Sequence, residues 1–209
     1  MSFKKVSEAV IKRLPRYYRH LTMLEGQGVD RISSEKLAKQ MNLNASQVRQ
    51  DFNCFGGFGQ QGYGYNIHTL LAEIRAILAL DREHKIVIAG AGNIGRALTN
   101  FPGFADSGFR VEALFDVNRA LIGTEVNGKP VLDMAEMDDY IREHAIDIGV
   151  IAARRSVAQE IADRMAEAGV KGIWNFVPVD LTTAIPTENV HLSDSIGALS
   201  YKIEHGVLD

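Results

Sequence analysis

The pattern of apolar positions changes near residue 80 of the 209-residue chain. Before that point, apolar residues recur every three or four positions, which predicts amphipathic helices. One such helix is predicted over Leu70–Leu80, where we expect it to connect the two parts of the chain. After it, short apolar runs alternate with amphipathic stretches, which predicts strands alternating with helices in a parallel sheet.

The second part of the chain contains four predicted strands and three predicted helices. The strands are expected over Lys85–Ala89, Arg110–Asp116, Ile146–Ala153 and Val170–Trp174. The helices are expected over Asn93–Phe101, Asp133–His144 and Ser156–Ala168. Helices that alternate with parallel strands cover both faces of the sheet, so residues 81–209 are predicted to form a doubly wound domain.

The first part of the chain predicts helices joined by short connections. A helix is expected from about Val6 to Glu25, and Pro15 either kinks it or begins its second half. Ser33 is expected to cap a short helix over Ser34–Met41. A tight connection then leads to Asn44, which begins the next helix.

The helix that begins at Asn44 has a complete start signal. Asn44 is a good N-cap, and Gln47 follows three residues later, as in a capping box. Val48 and Phe52 share the inward face. The outward face carries side chains that can bond base edges and phosphates, namely Ser46, Gln47, Arg49, Gln50 and Asn53. Two short helices, the second with a polar face, predict a helix-turn-helix over part of residues 1–80.

The segment Phe55–Tyr65 contains five glycines interleaved with aromatic residues. This composition favours a tight hairpin, which after a recognition helix would be a DNA-contacting wing. A phosphate-binding glycine loop is an alternative, although the Lys-Ser/Thr pair of a P-loop is missing. A helix-turn-helix can also serve protein interaction alone.

Charge supports a divided chain. The net charge is −3, but residues 1–80 hold 11 basic and six acidic residues, and the remainder holds 12 basic and 20 acidic residues. A basic first part and an acidic second part suggest different partners, the first being a polyanion. With 46% hydrophobic and 23% charged residues, the composition excludes disordered and collagen-like classes.

The single cysteine and the absence of long apolar runs indicate in which cellular compartment the protein is expected. Cys54 cannot form an internal disulfide, which is typical of a reducing cytoplasm. It is expected to be a small buried core residue, with a redox-sensing thiol as the alternative. No run of 18 apolar residues and no signal-peptide pattern occurs, so no membrane span is expected.

Gly90-Ala91-Gly92-Asn93-Ile94-Gly95, followed by Arg96, is a G-x-G-x-x-G sequence between a predicted strand and a predicted helix. This context is typical of a dinucleotide site, where the pyrophosphate lies on the N-terminus of the helix. Asp116 follows Gly95 by 21 residues, the usual distance for binding the adenine ribose. A carboxylate there repels a 2′-phosphate, which favours NAD(H) over NADP(H).

Catalysis is less well supported than binding. His144, Lys171, Arg154 and His191 could transfer a proton or hold a substrate. Solvated positions explain the first three, and the sequence places no partner acid beside His191. The chain has no segment left for a substrate domain, and no metal ligand set is expected. An NAD-dependent oxidoreductase with an N-terminal helical extension remains the alternative function. A third hypothesis is a Rossmann domain whose N-terminal helices only dimerise.

Several stretches carry a resemblance to a known family over nearly the whole chain. They are RLPRYYRHL (13–21), ISSEKLA (32–38), ASQVRQDFNCFGGFGQQGYGY (45–65), GAGNIGRAL (90–98), FDVN (115–118), GIWNFVPV (172–179) and ENVHLSDS (188–195). The chain resembles the bacterial redox-sensing repressors of the Rex family. The resemblance implies a winged helix-turn-helix over 1–80, a Rossmann domain over 81–209 and a C-terminal helix that is swapped between subunits.

The resemblance also implies a function. Members of the family are cytoplasmic homodimers that bind double-stranded operators of fermentation and anaerobic-respiration genes when NADH/NAD⁺ is low. NADH rearranges the subunits and releases the DNA. By position, Ser46, Gln47, Arg49 and Gln50 would contact the major groove, and Gln60, Gln61 and Tyr63 would make the wing contacts. Gly90–Arg96 with Asp116 would bind the dinucleotide. Ala153, Arg154, Asn175 and Phe176 would lie near the nicotinamide, and the swapped helix would cover about Ser195–His205.

The chain departs from the family pattern at several positions. Many members have Lys where this chain has Gln50, so an A/T-rich half-site is expected. Gln60 and Gln61 replace basic wing residues, which lowers the expected salt dependence of binding. A switching cluster of Arg, Tyr and Asp corresponds here to Arg19, Phe101 and His191. A histidine there would make NADH affinity depend on pH between about 5 and 8.

Overall fold

The computed structural model describes residues 6–56 and 63–206. The chain divides into two compact units between Asp81 and Arg82. Each unit has its own buried apolar core, so each is described separately. Within the described ranges, no helix is both long enough and apolar enough to cross a membrane.

The first unit consists of four helices and a two-stranded antiparallel sheet among its described residues. Strand β1 (Arg31–Ile32) pairs with β2 (Tyr65–Asn66), so the chain on either side of the helix-turn-helix is joined. The helices are α1 (Glu8–Gly26), α2 (Ser34–Gln40), α3 (Ala45–Asn53) and α4 (Ile67–Ile77). This pairing was not predicted because each strand has only two residues, too few to show a period.

The core of the first unit settles two questions about its helices. Helix α1 continues through Pro15, where the sequence left a kink or a break open. Helix α4 buries Ile67, Leu70 and Ile74, so it is a core helix of this unit and not only a connection. It ends at Ile77, three residues before the predicted end, because Leu78 is its C-cap.

The second unit is built on a seven-stranded sheet with the order β5-β6-β4-β3-β7-β8-β9. The strands are β3 (His84–Ala89), β4 (Phe109–Asp116), β5 (Glu125–Val126), β6 (Lys129–Asp133), β7 (Ile148–Ile151), β8 (Gly172–Asn175) and β9 (Thr187–Asn189). All neighbouring pairs are parallel except β5 with β6. The chain leaves β3 toward β4 on one side and later returns to β7 on the other. A switch point of this kind is where open parallel sheets bind ligands.

Both faces of this sheet are buried, as the doubly wound prediction requires. Along β3, Val87 and Ala89 belong to one apolar cluster, while Ile86 and Ile88 belong to another. Alternate residues of a strand point to opposite faces, so the two clusters lie on the two sides of the sheet. The helices are α5 (Asn93–Thr99), α6 (Pro102–Asp106), α7 (Met137–His144), α8 (Ala158–Ala168) and α9 (Leu192–His205).

The predicted bounds in the second unit need small corrections. Helix α5 ends at Thr99 because Asn100 is its C-cap and Pro102 begins a new helix. Short 3-10 turns, Met134–Glu136 and Arg155–Val157, precede α7 and α8. Strands β5, β6 and β9 were missed, since they are short and lack a continuous apolar run.

Candidate functional site

The helix-turn-helix is fixed by the two predicted caps. The Ser33 hydroxyl accepts a hydrogen bond from the Lys36 backbone N–H at 3.1 Å, and Asn44 Oδ1 accepts one from the Gln47 N–H at 2.7 Å. Between the helices, Asn42 adopts a left-handed φ of 53°, which asparagine tolerates better than most residues. The capped starts of α2 and α3 are therefore confirmed.

The outward face of α3 is available to a ligand. Val48 and Phe52 are fully buried, as predicted, whereas Ser46, Arg49 and Gln50 are exposed. Gln47 is half-buried, and its backbone N–H is bonded to the Asn44 cap. On the far side of the glycine-rich segment, Tyr63 is exposed, and its carbonyl accepts a hydrogen bond from Arg31 at 3.1 Å. Gln60 and Gln61 lie outside the described residues.

Arg49 is already oriented by α2. Its Nη1 donates to the Ser34 hydroxyl at 3.0 Å and to the Glu35 carboxylate at 3.1 Å. Both partners lie in the first turn of α2. A guanidinium with five donors can keep these contacts through one nitrogen while others bond DNA.

The inward face of α3 contains one residue that sequence reasoning missed. Asp51 is buried, and its carboxylate accepts hydrogen bonds from Arg13 and Tyr17 of α1. The hydrogen bond to Asp51 raises the pKa of Arg13, and burial raises the pKa of Tyr17. The available signal was a carboxylate three residues after Val48, a spacing that places both residues on one side of the helix. Arg13, counted in the basic excess of this unit, is committed to this pair.

Cys54 is exposed, so the prediction that it is a buried core residue was wrong. It is the C-cap of α3 and follows Phe52 by two residues, about 200° further around the helix. That rotation carries it away from the core that Phe52 enters. Its thiol donates to the Gln50 carbonyl at 3.3 Å.

In the second unit, the glycine-rich turn follows β3 at the switch point. Gly90 has a φ of 109°, and its N–H donates to the Phe115 carbonyl at 2.7 Å. A Cβ on Gly90 would lie 2.4 Å from the Ala152 carbonyl oxygen. A Cβ on Gly95 would lie 1.9 Å from the Gly90 carbonyl oxygen. Only glycine therefore fits the turn and the close packing of α5 on it.

Gly92 differs from the other two glycines because nothing lies within 4 Å of a Cβ built on it. It is exposed together with Asn93, Ile94 and Arg96, whereas Ala91 is buried. The first N–H groups of α5 have no partner within the helix. An open glycine beside free N–H groups fits a pyrophosphate group, which needs both close approach and donors.

Asp116 ends β4 beside this turn. Its Oδ2 accepts from the Ala91 N–H at 2.8 Å, and its Oδ1 accepts from the Asn118 N–H at 2.8 Å. A carboxylate has about four acceptor positions, so two remain for ribose hydroxyls. The residues present thus fit the adenosine and pyrophosphate half of a dinucleotide.

The residues predicted beside the nicotinamide lie at the carboxyl ends of β7 and β8. Ala153 is half-buried and Arg154 is exposed. Asn175 is fully buried, and its amide donates to the Val177 and Val179 carbonyls and to Asn189. These bonds use its donors, so its side chain holds the loop after β8 against β9. Half-buried Phe176 follows, with its ring centroid 4.6 Å from that of Trp174.

The three predicted switch residues have different surroundings. Phe101 is exposed, with its ring centroid 5.2 Å from that of Phe104. His191 is the N-cap of α9, and its Nδ1 lies 3.9 Å from Asp194. Its Nε2 is buried and has no hydrogen-bond partner among the described atoms. Arg19 belongs to the first unit and is exposed on α1.

Helix α9 begins at Leu192, three residues before the predicted start, and buries none of its residues in this chain. Its exposed apolar side chains include Leu192, Ile196, Leu199 and Ile203. They recur at helical spacing and form one stripe.

The other candidates for catalysis are solvated, as predicted. His144 is exposed and stacks on Tyr140 with ring centroids 3.9 Å apart. Lys171 is exposed and pairs with Asp147 at 2.6 Å. In the part of the chain that the structure describes, no cluster of three or more His, Cys, Asp or Glu side chains could hold a metal ion.

Known proteins resemble both units. Residues 5–53 match the family model described as "Putative DNA-binding protein N-terminus", and residues 81–179 match "CoA binding domain". A redox-sensing transcriptional repressor Rex from Clostridium beijerinckii is 50% identical over 200 residues, covering 95% of each chain. The Rex repressor from Clostridioides difficile is 46% identical over 205 residues, covering 97% of this chain and 98% of its own.

Solved structures of related proteins are similar to this chain over nearly its whole length. The Rex-family repressor RSP in complex with β-NAD⁺ and operator DNA is 46% identical, has a TM-score of 0.92, and covers 97% of this chain and 94% of its own. RSP in complex with β-NADH is 43% identical, with a TM-score of 0.91 and coverage of 97% and 96%. The chain belongs to the Rex family of redox-sensing transcriptional repressors.

Proposed function

We propose that this protein is a transcriptional repressor that binds palindromic, A/T-rich operators when NADH/NAD⁺ is low and releases them on binding NADH. The observation that carries the proposal is that the related repressor RSP has been solved both with β-NAD⁺ and operator DNA and with β-NADH. The same chain here combines an exposed helix-turn-helix face with a dinucleotide turn. The curated relatives named above are repressors, not enzymes.

Operator binding is assigned to residues 1–80, the winged helix-turn-helix domain. Helix α3 would enter the major groove, where Arg49 and Gln50 can reach base edges. The amide of Gln50 matches the donor and acceptor of adenine, which supports the A/T-rich half-site. Ser46 and Gln47 would support the same contact near the start of α3, and Gln60, Gln61 and Tyr63 would contact DNA from the wing.

NAD(H) binding is assigned to residues 81–209, the Rossmann domain. The pyrophosphate would lie against Gly92 and the N-terminus of α5, and Asp116 would hold the adenine ribose. Ala153, Arg154 and Phe176 would border the nicotinamide, and Asn175 would act through the loop that it holds. The cofactor supplies redox sensitivity, because its oxidised and reduced nicotinamide rings differ in charge and shape.

We propose a homodimer in which α9 is exchanged between subunits. A palindromic operator requires a protein with matching two-fold symmetry. The apolar stripe of α9 is exposed within one chain, and burying it on a second copy would stabilise the pair. Since such a repressor acts on bacterial DNA, its place of action is the cytoplasm. Arg19, Phe101 and His191 remain the proposed switch residues.

The mechanism is thermodynamic linkage between two sites. NADH releases the operator only if it binds the DNA-incompetent arrangement more tightly than the DNA-bound one. The nicotinamide charge therefore has to change contacts that differ between the two arrangements. No chemical step on the cofactor is needed, so the cofactor leaves the protein unchanged.

Titration of a fluorescent palindromic A/T-rich duplex tests the proposal directly. We expect tight binding without cofactor, retention with NAD⁺ and release by NADH, with a G/C-rich duplex as the control. Absence of binding to any duplex would contradict DNA recognition. Equal release by NAD⁺ and NADH would contradict redox sensing.

A further inference from the structure

We propose that Asp51 is a positioning residue that sets the pose of helix α3 for base recognition, through its bonds to Arg13 and Tyr17. These three residues are named here the Asp51 cluster. The proposal rests on the proposed function, because it concerns how the operator is discriminated. It assigns a role to three residues that would not themselves touch DNA.

The geometry of the cluster is specific. Arg13 donates from Nε to Asp51 Oδ2 at 2.7 Å and from Nη2 to Oδ1 at 2.8 Å, a two-bonded fork. The Tyr17 hydroxyl donates to Oδ2 at 2.8 Å. The side chains of Arg13 and Asp51 are 17% and 3% exposed. Both carboxylate oxygens are thus bonded to one helix inside an apolar core.

The surroundings of the carboxylate are otherwise apolar. Val48 and Phe52, on either side of Asp51 along α3, are fully buried. The ring centroids of Tyr17 and Phe52 are 4.9 Å apart. Apolar packing is non-directional, so it holds α3 against α1 while permitting small rotations. A two-bonded fork between a guanidinium and a carboxylate fixes both distance and angle.

Stability alone does not explain a buried ion pair. Removing two charges from water costs several kcal/mol, and the attraction between them often does no more than offset this. Replacing a buried ion pair by apolar residues of similar volume is often neutral or stabilising. A directional requirement, such as fixing the orientation of α3, is a role that apolar residues could not fill.

The residues just before Asp51 are the ones that require this orientation. Arg49 and Gln50 are exposed on the same helix, whereas Asp51 is buried. A rotation of α3 about its axis changes the angle at which both side chains approach the base edges. Contacts to base edges depend on hydrogen-bond angle and distance, whereas phosphate attraction tolerates such movement. Loosening the cluster should therefore reduce discrimination between DNA sequences more than overall DNA affinity.

Two conservative variants of the full-length protein test this inference. Tyr17→Phe removes one hydrogen bond but keeps the ring, and Arg13→Lys keeps the charge but loses the fork. The readout is the ratio of dissociation constants for a duplex with one changed base pair and for the operator. We expect this ratio to fall about fivefold to tenfold, within the range that one base contact contributes. NADH affinity of the same preparations is expected to stay unchanged.

Glu8→Gln is the matched control on the same helix. Glu8 pairs with Lys12 at 2.7 Å in an exposed ion pair, which contributes little to stability. Its ratio should equal that of the wild type. All measurements are made where circular dichroism shows wild-type helicity, so that a difference in folded fraction does not enter.

The outcomes are distinct. A lower ratio in both cluster variants, with unchanged NADH affinity, supports positioning by Asp51. Wild-type ratios in both variants would overturn it. An equal loss of affinity for both duplexes, leaving the ratio unchanged, would show that the cluster only stabilises the fold and would also overturn it. If wild-type protein failed to distinguish the two duplexes, the proposed function would fail instead.

Discussion

The two units present different groups to their proposed ligands, side chains in the first unit and backbone in the second. The helix-turn-helix presents side chains, with Arg49 and Gln50 exposed on a helix anchored from behind by Asp51. The dinucleotide turn presents backbone, since Gly90 and Gly95 permit close packing and Gly92 leaves open space. Sequence recognition needs chemically distinct groups, whereas a pyrophosphate needs N–H groups at close range.

This difference teaches how each site should tolerate change. A side chain on α3 can be replaced while the fold persists, so losses should be graded and specific to base pairs. A Cβ on Gly90 or Gly95 meets backbone atoms. Substitution at these two positions should therefore cause a large loss of both stability and cofactor binding. The following predictions test this contrast, beginning with the largest effect.

Gly95→Ala is expected to cause the largest change. Its Cβ would lie 1.9 Å from the Gly90 carbonyl oxygen, so α5 has to move away from the turn. We expect the second unit to lose roughly 3 kcal/mol of unfolding free energy and NADH binding to disappear. Chemical denaturation and NADH fluorescence measure the two quantities.

Gly92→Ala is the matched control, because its Cβ meets no atom within 4 Å. We expect wild-type unfolding free energy but weaker NADH binding, since the methyl group occupies the space assigned to the pyrophosphate. If Gly95→Ala matched the wild type in both measurements, neither stability nor NADH binding would require the close packing of α5 on the turn. If Gly92→Ala bound NADH normally, the pyrophosphate would have to lie elsewhere.

Gln50→Lys is expected to have an intermediate effect confined to DNA. Lysine prefers the acceptors of guanine, so the preferred base at one half-site position should change from adenine to guanine, by about 1–3 kcal/mol. Binding to a set of single-base operator variants measures the change. NADH affinity and stability should match the wild type, and an unchanged base preference would argue against Gln50 as a base contact.

Asp116→Asn is expected to have the smallest effect, confined to the cofactor. The amide oxygen can still accept from the Ala91 N–H, so the turn should persist, although the hydrogen bond from the Asn118 N–H is lost. Loss of the charge should weaken NADH binding about tenfold and reduce discrimination against NADPH, because the repulsion of the 2′-phosphate disappears. Parallel titrations with NADH and NADPH give the ratio, and a ratio equal to that of the wild type would refute the ribose assignment.

Local signals made part of this molecule predictable. The Asn44 cap and the Gly90–Gly95 turn depend on residues within one or two turns of chain, and their physical roles can be stated without knowing the fold. The cap is present with the expected bond, and the turn has the expected crowding at Gly90 and Gly95.

Long-range features could not be predicted in the same way. Arg13 and Asp51 are 38 residues apart, and the β1–β2 pairing brings Ile32 to Tyr65. No local sequence pattern links the two members of either pair. Arg13 was therefore counted among the basic residues expected to face a polyanion. The exposure of Cys54 was missed because the prediction was based on its apolar neighbours. The direction of its side chain depends instead on its position as the C-cap of α3.

Measuring NADH affinity with and without saturating operator tests most directly whether the two units are coupled. Linkage requires that DNA weaken NADH binding by the same factor by which NADH weakens DNA binding, typically about 5-fold to 150-fold. We predict that isothermal titration of NADH into free protein and into the operator complex gives the same factor as operator titrations without and with saturating NADH. NADH affinity that is the same in both samples would contradict an NADH-responsive repressor.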